Sequence, residues 1–252
     1  MQLYKSDNIT VPHAFTTRLG GVSSAAGYDT LNLGIKTDDE CVRGNYDIIQ
    51  KELNIRHIVL CNQEHTTTVL PVTMTEDGIG LTRPLFSFGV DALITAERNL
   101  TLGIFYADCV PILLHDPVAG AIGAVHSGWR GTADKIITTA VMKMSEEYKS
   151  DPGNIRAAIG PCIQACHFET DGAVRDEFTA AYGDFFPRMS KEAGEKTFID
   201  MPAGVRHDLM ACGVLQENIR TIADCTVCRN DRLFSHRCGD GGRMAGFITL
   251  YE

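Results

Sequence analysis

The sequence predicts a single α+β domain. Strand-like and helix-like segments follow one another without the regular strand–helix–strand alternation of a doubly wound parallel sheet. Two near-continuous apolar runs, at residues 101–106 and 110–116, are typical of strands that are covered on both faces. The sequence contains no internal repeat, low-complexity tract or Pro/Ser-rich linker. We therefore expect residues 1–252 to form one domain with mixed sheets.

The individual elements follow from hydrophobic periodicity. Short alternating or continuous apolar runs predict strands at residues 11–17, 57–61, 66–72, 91–95, 101–106, 110–116, 120–125, 155–160, 218–222 and 246–251. Amphipathic segments predict helices at residues 38–53, 133–148, 172–182 and 202–213. Thr132 is expected to N-cap the second helix. Residues 223–245 are rich in Cys, Arg and Gly and are expected to be mostly loop.

Composition narrows the class of protein. The chain is 44% hydrophobic and 22% charged, as soluble globular proteins are. A formal net charge of −9 argues against broad nucleic-acid binding, which depends on clustered Lys and Arg, yet a few local Arg residues suffice for a small anion. The N-terminal segment lacks the apolar core of a signal peptide, and no run approaches the ~20 apolar residues of a membrane span. We expect a cytoplasmic protein, monomeric or a small homo-oligomer, without nucleic-acid or membrane partners.

Three metal-competent side chains lie next to predicted strands. His65 follows the strand at 57–61, Cys109 separates the two apolar runs, and His126 follows the strand at 120–125. Their spacing is far wider than that of a zinc finger. Three ligands without an obvious fourth are typical of an open, catalytic zinc site. Copper is the chemical alternative for one Cys and two His ligands.

Two other arrangements of cysteine remain open on the sequence. Cys109 and His126 are also compatible with a thiolate–imidazole nucleophile pair, as in a hydrolase or amidase. A structural zinc site is the second alternative, because a C-x3-C pair and a C-x2-C pair together provide four ligands. That site would consist of Cys162, Cys166, Cys225 and Cys228.

Four arginines are candidates for anion binding, because the planar guanidinium matches phosphate geometry. Arg18 precedes a Gly pair whose backbone N–H groups can approach an anion. Arg130 lies beside the predicted start of the helix at 133–148. Arg237 and Arg243 lie in a Gly-rich segment near the C-terminus. Position next to Gly or a helix start favours Arg18 and Arg130.

Several segments, in order along nearly the whole chain, resemble the laccase-domain family, also called the multicopper polyphenol oxidase or YfiH-like family. They are HAFTTRLGGVS, LNLG, NQEH, DALIT, ADCVPILLHDP, AVHSGWRGT, IGPCI, and FSHR followed by GGRMAGFI. One Cys and two His cannot assemble a multicopper centre, so the family name does not describe this ligand set. The chain departs from the family at Thr66, where Gly usually follows the metal-binding His.

The resemblance implies a layered α/β/β/α fold, similar to that of cytotoxic necrotizing factor. It implies a zinc-bearing purine nucleoside phosphorylase that cleaves adenosine, inosine and S-methyl-5′-thioadenosine with phosphate and also deaminates adenosine. The implied metal ligands, which also belong to the catalytic set, are His65, Cys109 and His126. The implied phosphate or substrate contacts are Arg18, Asn32, Gln63 and Arg130. Asp108 or Glu64 is expected to serve as the general acid or base.

Three other functions are compatible with the same residues. The first is a Cys–His hydrolase or amidase, including one that edits peptidoglycan precursors, with Cys109 as nucleophile and His126 as base. The second is a copper-dependent polyphenol oxidase. The third is a binding role within a partner complex, which a large apolar surface patch would favour.

Overall fold

Two mixed β-sheets packed face to face form the centre of the fold, in a computed structural model that describes residues 1–251. The strands are β1 (Leu3–Tyr4), β2 (His13–Thr16), β3 (His57–Leu60), β4 (Val69–Pro71), β5 (Ala92–Thr95), β6 (Leu100–Tyr106), β7 (Val110–Asp116), β8 (Ala121–Ser127), β9 (Arg156–Ile159), β10 (Glu169–Thr170), β11 (Ser190–Ala193), β12 (Lys196–Ile199), β13 (Ile219–Thr221) and β14 (Met244–Thr249). The helices are α1 (Val42–Leu53), α2 (Trp129–Ala133), α3 (Ile136–Tyr148), α4 (Gly172–Tyr182) and α5 (Met201–Ala211).

Strand order differs between the sheets. The first sheet has the order β1-β2-β14-β6-β3, and the second has the order β13-β9-β7-β8-β5-β4. A third, small sheet has the order β10-β12-β11 and packs beside α4. Parallel and antiparallel pairs occur in both large sheets, so the fold is α+β with mixed sheets, as the sequence predicts.

Alternation of side chains along the central strands explains the layers. In β6, Leu102 packs between the two sheets, whereas Phe105 faces the opposite side and packs with residues of α1. In β7, Leu113 packs between the sheets, whereas Ile112 joins the core that contains α3 and α5. Each strand is therefore buried on both faces, which accounts for the continuous apolar runs. The predicted α/β/β/α layering is confirmed.

Strand pairing brings the candidate ligands to one end of the second sheet. β7 and β8 are antiparallel, and Val110 pairs with Ser127 while Pro111 pairs with His126. Cys109 directly precedes β7, so its thiol lies at the same end as His126. β5 pairs with the other edge of β8, with Ala92 opposite Val125, which places Asp91 beside this end as well.

The helix expected at 133–148 is two helices, and the N-cap assignment of Thr132 is wrong. α2 begins at Trp129 directly after β8, and Lys135 (φ +62°) interrupts the helical path before α3. Thr132 lies inside α2, where its hydroxyl donates to the Gly128 carbonyl at 2.9 Å. Lys135 is held in its left-handed conformation while its ammonium contacts the Asp208 carboxylate at 2.9 Å. Because α2 has a single turn, it does not provide the helix N-terminus that the sequence suggested.

Other differences are smaller. The helix expected at 38–53 begins at Val42, since Asp39 instead accepts hydrogen bonds from the Ser23 hydroxyl and the Asn32 amide. The three strands of the small sheet, β10, β11 and β12, were not expected, because they have only two to four residues each and carry little hydrophobic pattern. No helix within residues 1–251 has the length and apolarity needed to cross a membrane.

Candidate metal centre

The side chains of His65, Cys109 and His126 converge, and we call them the His2Cys cluster. Their candidate ligand atoms all lie within 4.8 Å of one another. The Cys109 Sγ lies 3.7 Å from the His65 Nε2, and the two imidazole rings meet edge to face with centroids 5.1 Å apart. Two nitrogens and one sulfur at this separation match the donor set and size of a zinc site with an open fourth position.

Asp91 fixes the orientation of His126. The Asp91 carboxylate is fully buried, and its Oδ1 accepts a hydrogen bond from the His126 Nδ1 at 2.8 Å. This contact leaves the other ring nitrogen, Nε2, to face the cluster. A carboxylate behind the imidazole is the usual partner of a zinc-binding histidine, because it fixes the tautomer and raises the basicity of the ligand. The site therefore fits a metal in its surroundings as well as in its ligands.

The same carboxylate holds the backbone that carries His65. Asp91 accepts hydrogen bonds from the backbone N–H groups of Glu64, His65 and Thr66 at 2.8–3.2 Å. His65 has φ +60°, a conformation that costs a non-glycine residue about 1–3 kcal/mol. Hydrogen bonds to an ionised carboxylate contribute about 1.5–3 kcal/mol each, so three of them outweigh that strain.

Thr66 contributes to this arrangement through its side chain. Its hydroxyl donates to the Asp91 Oδ2 at 2.9 Å, in addition to the bond from its backbone N–H. The departure from the usual Gly therefore adds a donor to Asp91, and Thr66 does not line the pocket described below.

Gly128 leaves the space in which His65 and Cys109 meet. A Cβ at this position would lie 2.5 Å from the His65 Cδ2 and 3.2 Å from the Cys109 Sγ. Gly128 immediately precedes α2, so the chain passes from β8 into the helix directly against the cluster. Any larger residue would displace the ligands.

Charges within the His2Cys cluster stabilise a thiolate. Burial raises the pKa of Cys109, but the charge of His126 and hydrogen bonds from His126 and His65 outweigh it and lower the pKa to about 6. Burial lowers the pKa of His126, but the Cys109 charge and the Asp91 hydrogen bond raise it to about 9. Burial also raises the pKa of Asp91, but its hydrogen bond from His126 brings the value down to about 2. A cation would replace the proton that the thiolate and imidazole share.

The His2Cys cluster opens into a pocket of about 520 Å³, a volume that suits a small-molecule ligand. Aromatic side chains that line the pocket are Phe105, Tyr106, Trp129 and Phe168. Besides the cluster itself, the cationic or imidazole side chains that line it are Lys36, His236, Arg237 and Arg243. An apolar wall with cations and a metal-competent cluster is a suitable environment for a planar heterocycle joined to anionic groups.

Arg243 is a cation that the surrounding backbone positions at the pocket. Its backbone N–H donates to the Asn32 Oδ1 at 2.9 Å, and its Nη1 donates to the carbonyls of Gly241 and Gly242. Its Nε and Nη2 have no hydrogen-bond partner within residues 1–251. The guanidinium thus keeps two donors for a ligand.

Arg18 does not lie at the pocket, which corrects the expectation that it binds phosphate. Its buried guanidinium donates to the Asp29 and Asn230 carbonyls and to the Asp240 carboxylate, and it packs over the Phe234 ring at 4.4 Å. With a further bond from its Nη2 to the Asp29 carboxylate, all three guanidinium nitrogens donate to protein groups.

Arg130 does not line the pocket either. It is exposed and stacks on the outside of Trp129, with its guanidinium carbon 4.3 Å from the ring centroid. Trp129 itself lines the pocket. The expectation of a direct phosphate contact from Arg130 is corrected to a supporting contact behind Trp129.

Asn32 and Gln63 shape the pocket through the backbone. Asn32 is fully buried, and its Oδ1 accepts from the N–H groups of Gly34 and Arg243. Gln63 lines the pocket, but its amide donates to the Phe105 carbonyl at 2.8 Å and accepts from the Phe105 N–H at 2.6 Å. Both amides are thus engaged with protein groups, so a substrate would meet them as pocket wall.

Asp108 lies in the pocket wall beside Cys109 and has φ +88°. Its two carboxylate oxygens accept hydrogen bonds from the Thr226 hydroxyl at 2.5 Å and the Arg237 N–H at 2.8 Å. Both oxygens act as acceptors, so these contacts favour a positioning role over the acid/base role expected from the sequence. Glu64, the other acid/base candidate, is exposed and does not line the pocket.

A second metal-competent cluster is present outside the pocket, and it differs from the four-cysteine set considered above. The side chains that converge are Cys166, His167, Cys225 and Cys228. Cys162 is excluded because its buried thiol accepts a hydrogen bond from the Gln164 amide instead.

Comparison with known proteins places the chain in a family. A family model described as multi-copper polyphenol oxidoreductase laccase matches residues 12–251. The chain therefore belongs to this laccase-like family, which confirms the resemblance seen in the sequence.

Particular relatives carry a different description. The chain is 31% identical to purine nucleoside phosphorylase YlmD of Bacillus subtilis, over 98% of this chain and 91% of the relative. It is 35% identical to purine nucleoside phosphorylase SCO2081 of Streptomyces coelicolor, over 97% and 98% of the two chains. The crystal structure of YlmD from Geobacillus stearothermophilus matches with a TM-score of 0.91 at 31% identity, over 98% of this chain and 94% of that chain.

The substitution Asp91→Asn tests whether Asp91 prepares the His2Cys cluster to bind zinc. We expect zinc affinity to fall by roughly 10–100-fold, because an amide neither carries the charge nor accepts from every donor around it. Competition with a chelating dye measures the affinity. Asp116→Asn is the matched control: Asp116 is equally buried, at the far end of β7, and should leave zinc affinity unchanged. Equal affinities in the two variants would contradict the role of Asp91.

The acidity of Cys109 is open to measurement in metal-free protein. We expect alkylation of Cys109 by iodoacetamide to rise with pH around a midpoint of about 6, because the thiolate is the reactive form and its pKa is lowered. Peptide mass spectrometry resolves Cys109 from the other cysteines. Cys212, whose pKa is raised by burial, serves as the internal control with a higher midpoint. Similar midpoints at both thiols would show that the imidazoles do not stabilise the thiolate.

Proposed function

We propose that the protein is a zinc-dependent purine nucleoside phosphorylase that acts on adenosine, inosine and S-methyl-5′-thioadenosine, with adenosine deaminase activity in the same pocket. The observation that carries the proposal is the union, in one pocket, of the His2Cys cluster, aromatic walls and Arg243. Relatives described as purine nucleoside phosphorylases at 31–35% identity over nearly the whole chain support the reaction class.

Phosphate is best matched by Arg243. Two free guanidinium donors provide the planar, bidentate contact that phosphate oxygens prefer. Arg237 and Lys36 add positive charge to the same pocket. The protein as a whole has a net charge of −9, so this local group of cations is what would draw an anion to the pocket.

The aromatic walls suit the purine. Trp129 and Phe168 offer flat surfaces for a planar base, and Arg130 supports Trp129 from behind. Asn32 and Gln63 hold the backbone around the pocket in place. We propose that these two side chains affect the substrate indirectly, by shaping the pocket wall, and do not contact it with their amide groups.

In phosphorolysis, a phosphate oxygen bonds to the anomeric carbon as the bond from that carbon to the purine nitrogen breaks. The ribose passes through an oxocarbenium-like state, and the bonding electron pair leaves with the base. Arg243 orients the attacking phosphate. The aromatic walls exclude water from the oxocarbenium-like ribose. His65, Cys109 and His126 would hold zinc, which supplies a Lewis acid when bound.

The departing base needs a proton at a ring nitrogen. His236 lines the pocket, and its ring makes no hydrogen bond within the described part of the chain. Because His236 lies in the pocket wall and its imidazole can exchange a proton with a ligand, it is the group we assign to this transfer. Asp108 keeps Cys109 and Arg237 in position. For deamination, the same group would move a proton at the exocyclic amine.

The environment proposed for this enzyme is the cytoplasm, with purine nucleosides and phosphate as its partners and a monomer or small homo-oligomer as its state. All nine cysteines are free thiols in the structure, which fits a reducing compartment.

A thiol hydrolase is the second candidate, favoured by the lowered pKa of Cys109 beside His126. A copper-dependent polyphenol oxidase is the third, since one Cys and two His ligands also suit copper. Removal and return of metal separate the three. Zinc restores a phosphorylase, copper restores an oxidase with visible absorbance, and a thiol hydrolase works without either.

The reaction is tested with inosine, with and without phosphate. We expect release of hypoxanthine that depends on phosphate and yields ribose 1-phosphate, and we expect Cys109→Ala and His126→Ala to abolish it. The loss follows because each variant removes a ligand of the cluster. Chromatography of the products measures both.

Cys238→Ala is the matched control, since this exposed thiol lies outside both clusters and should leave the rate unchanged. Phosphate-independent release of base, or full activity of folded Cys109→Ala, would contradict the proposed function.

Substitution Arg243→Met tests the phosphate site. We expect the KM for phosphate to rise roughly 10–100-fold, the loss that follows when a charge-assisted contact is removed. The KM for inosine should change much less, because the base and sugar contact other residues. Arg130→Met is the control for a charge outside the pocket. A larger rise in the KM for phosphate from Arg130→Met than from Arg243→Met would contradict this assignment and favour Arg130 as the phosphate contact, as the sequence predicted.

A further inference from the structure

A group of four sulfur and nitrogen donors lies at the surface, on two loops outside the pocket. We call it the Cys3His cluster. Its members are Cys166, His167, Cys225 and Cys228. The first two lie between β9 and β10, and the other two follow β13 in the segment that leads to β14. Cys225 is buried, while Cys166 and Cys228 are exposed at the edge, so the cluster is accessible from solvent.

The distances within the cluster match those of one tetrahedral ion. The Sγ atoms of Cys166 and Cys228 lie 3.7 Å apart. The His167 Nδ1 lies 3.2 Å from the Cys166 Sγ, 3.6 Å from the Cys225 Sγ and 3.4 Å from the Cys228 Sγ. Tetrahedral zinc, with bonds of about 2.3 Å to sulfur and about 2.0 Å to nitrogen, requires roughly 3.8 Å between sulfurs and roughly 3.5 Å from sulfur to nitrogen.

The backbone also prepares Cys225 to bind a cation. The backbone N–H groups of Cys228, Gln164 and Val227 donate hydrogen bonds to its sulfur. N–H groups that converge on the first sulfur of a C-x2-C turn stabilise a thiolate. The spacing of Cys225 and Cys228 is that of the ligand pairs in structural zinc sites.

We propose that these four residues form a structural Zn²⁺ site, separate from the His2Cys cluster. All four ligand positions are filled by protein, which distinguishes a closed structural site from an open catalytic one. The inference goes beyond the proposed function, because it assigns a second ion that takes no part in the reaction.

The ion would clamp two loops that form part of the pocket wall. The loops already meet through the Thr226 N–H and the Cys162 carbonyl at 3.1 Å. The first loop carries Ile163 and Phe168 into the pocket wall, and Thr226 holds the Asp108 carboxylate. Arg237 connects the same elements, since its Nη1 donates to the His167 carbonyl at 3.0 Å. Zinc would stabilise this wall from behind.

Zinc content of the purified protein tests the proposal. We expect about two zinc ions per chain in the wild type. We expect about one in each of Cys228→Ser and Cys109→Ser, because each variant removes a ligand from a different site. Cys238→Ser is the matched control, an exposed thiol on a neighbouring segment, and should retain both ions. Thermal unfolding should show a lower Tm for Cys228→Ser than for Cys238→Ser.

A measurement on the wild type covers the case in which Cys228→Ser does not fold. Cobalt(II) in place of zinc should show the intense ligand-field and thiolate charge-transfer bands of a tetrahedral site with three sulfurs. These bands should persist in Cys109→Ser. The proposal is overturned by about one zinc ion in the wild type with none in Cys109→Ser, or by a Cys166–Cys228 disulfide in the freshly purified protein. Either result is independent of whether the protein cleaves nucleosides.

Discussion

The buried carboxylate of Asp91 is the constraint on which the rest of the site depends. It is fully buried and accepts hydrogen bonds from the His126 ring, from three consecutive backbone N–H groups at residues 64–66, and from the Thr66 hydroxyl. An unpaired carboxylate would be very costly at this depth, so the charge is stable only with its full set of donors. Two of these donors belong to the histidine ligands, and the other three come from Glu64 and Thr66 on either side of His65. One side chain thus connects the fold, the left-handed backbone at His65 and the orientation of His126.

The packed sheets bring these parts together from distant segments. The pairing of β7 with β8 brings Cys109 and His126 to one end of the second sheet, and β5 delivers Asp91 to the same end. The cationic side of the pocket comes from elsewhere, from the loop after Asn32 and from the Gly-rich segment before β14. Catalytic chemistry on such a site depends on rigid placement, which buried strands provide better than free loops.

Part of this arrangement could be predicted from the sequence. Periodicity identified the central strands, and metal-competent residues next to strand ends identified the His2Cys cluster. The arginines favoured by the sequence, Arg18 and Arg130, do not line the pocket, because a Gly pair beside Arg18 predicts a tight loop without revealing whether the guanidinium faces a ligand or a buried carbonyl. The role of Asp91 was missed for a related reason. The sequence predicts it only as the first residue of a strand, and its five hydrogen-bond donors come together only in the folded chain. His167 was missed because a ligand adjacent to Cys166 does not follow the spacing of familiar zinc motifs.

We expect Asp91 to prepare His65, Cys109 and His126 to bind one metal ion in the pocket. Crystals of the zinc-loaded protein, measured on both sides of the zinc absorption edge, test it most directly. We expect an anomalous peak bounded by the His65 Nε2, the Cys109 Sγ and the His126 Nε2, with His126 still bonded to Asp91. Zinc-loaded crystals without a peak between these three atoms would contradict it.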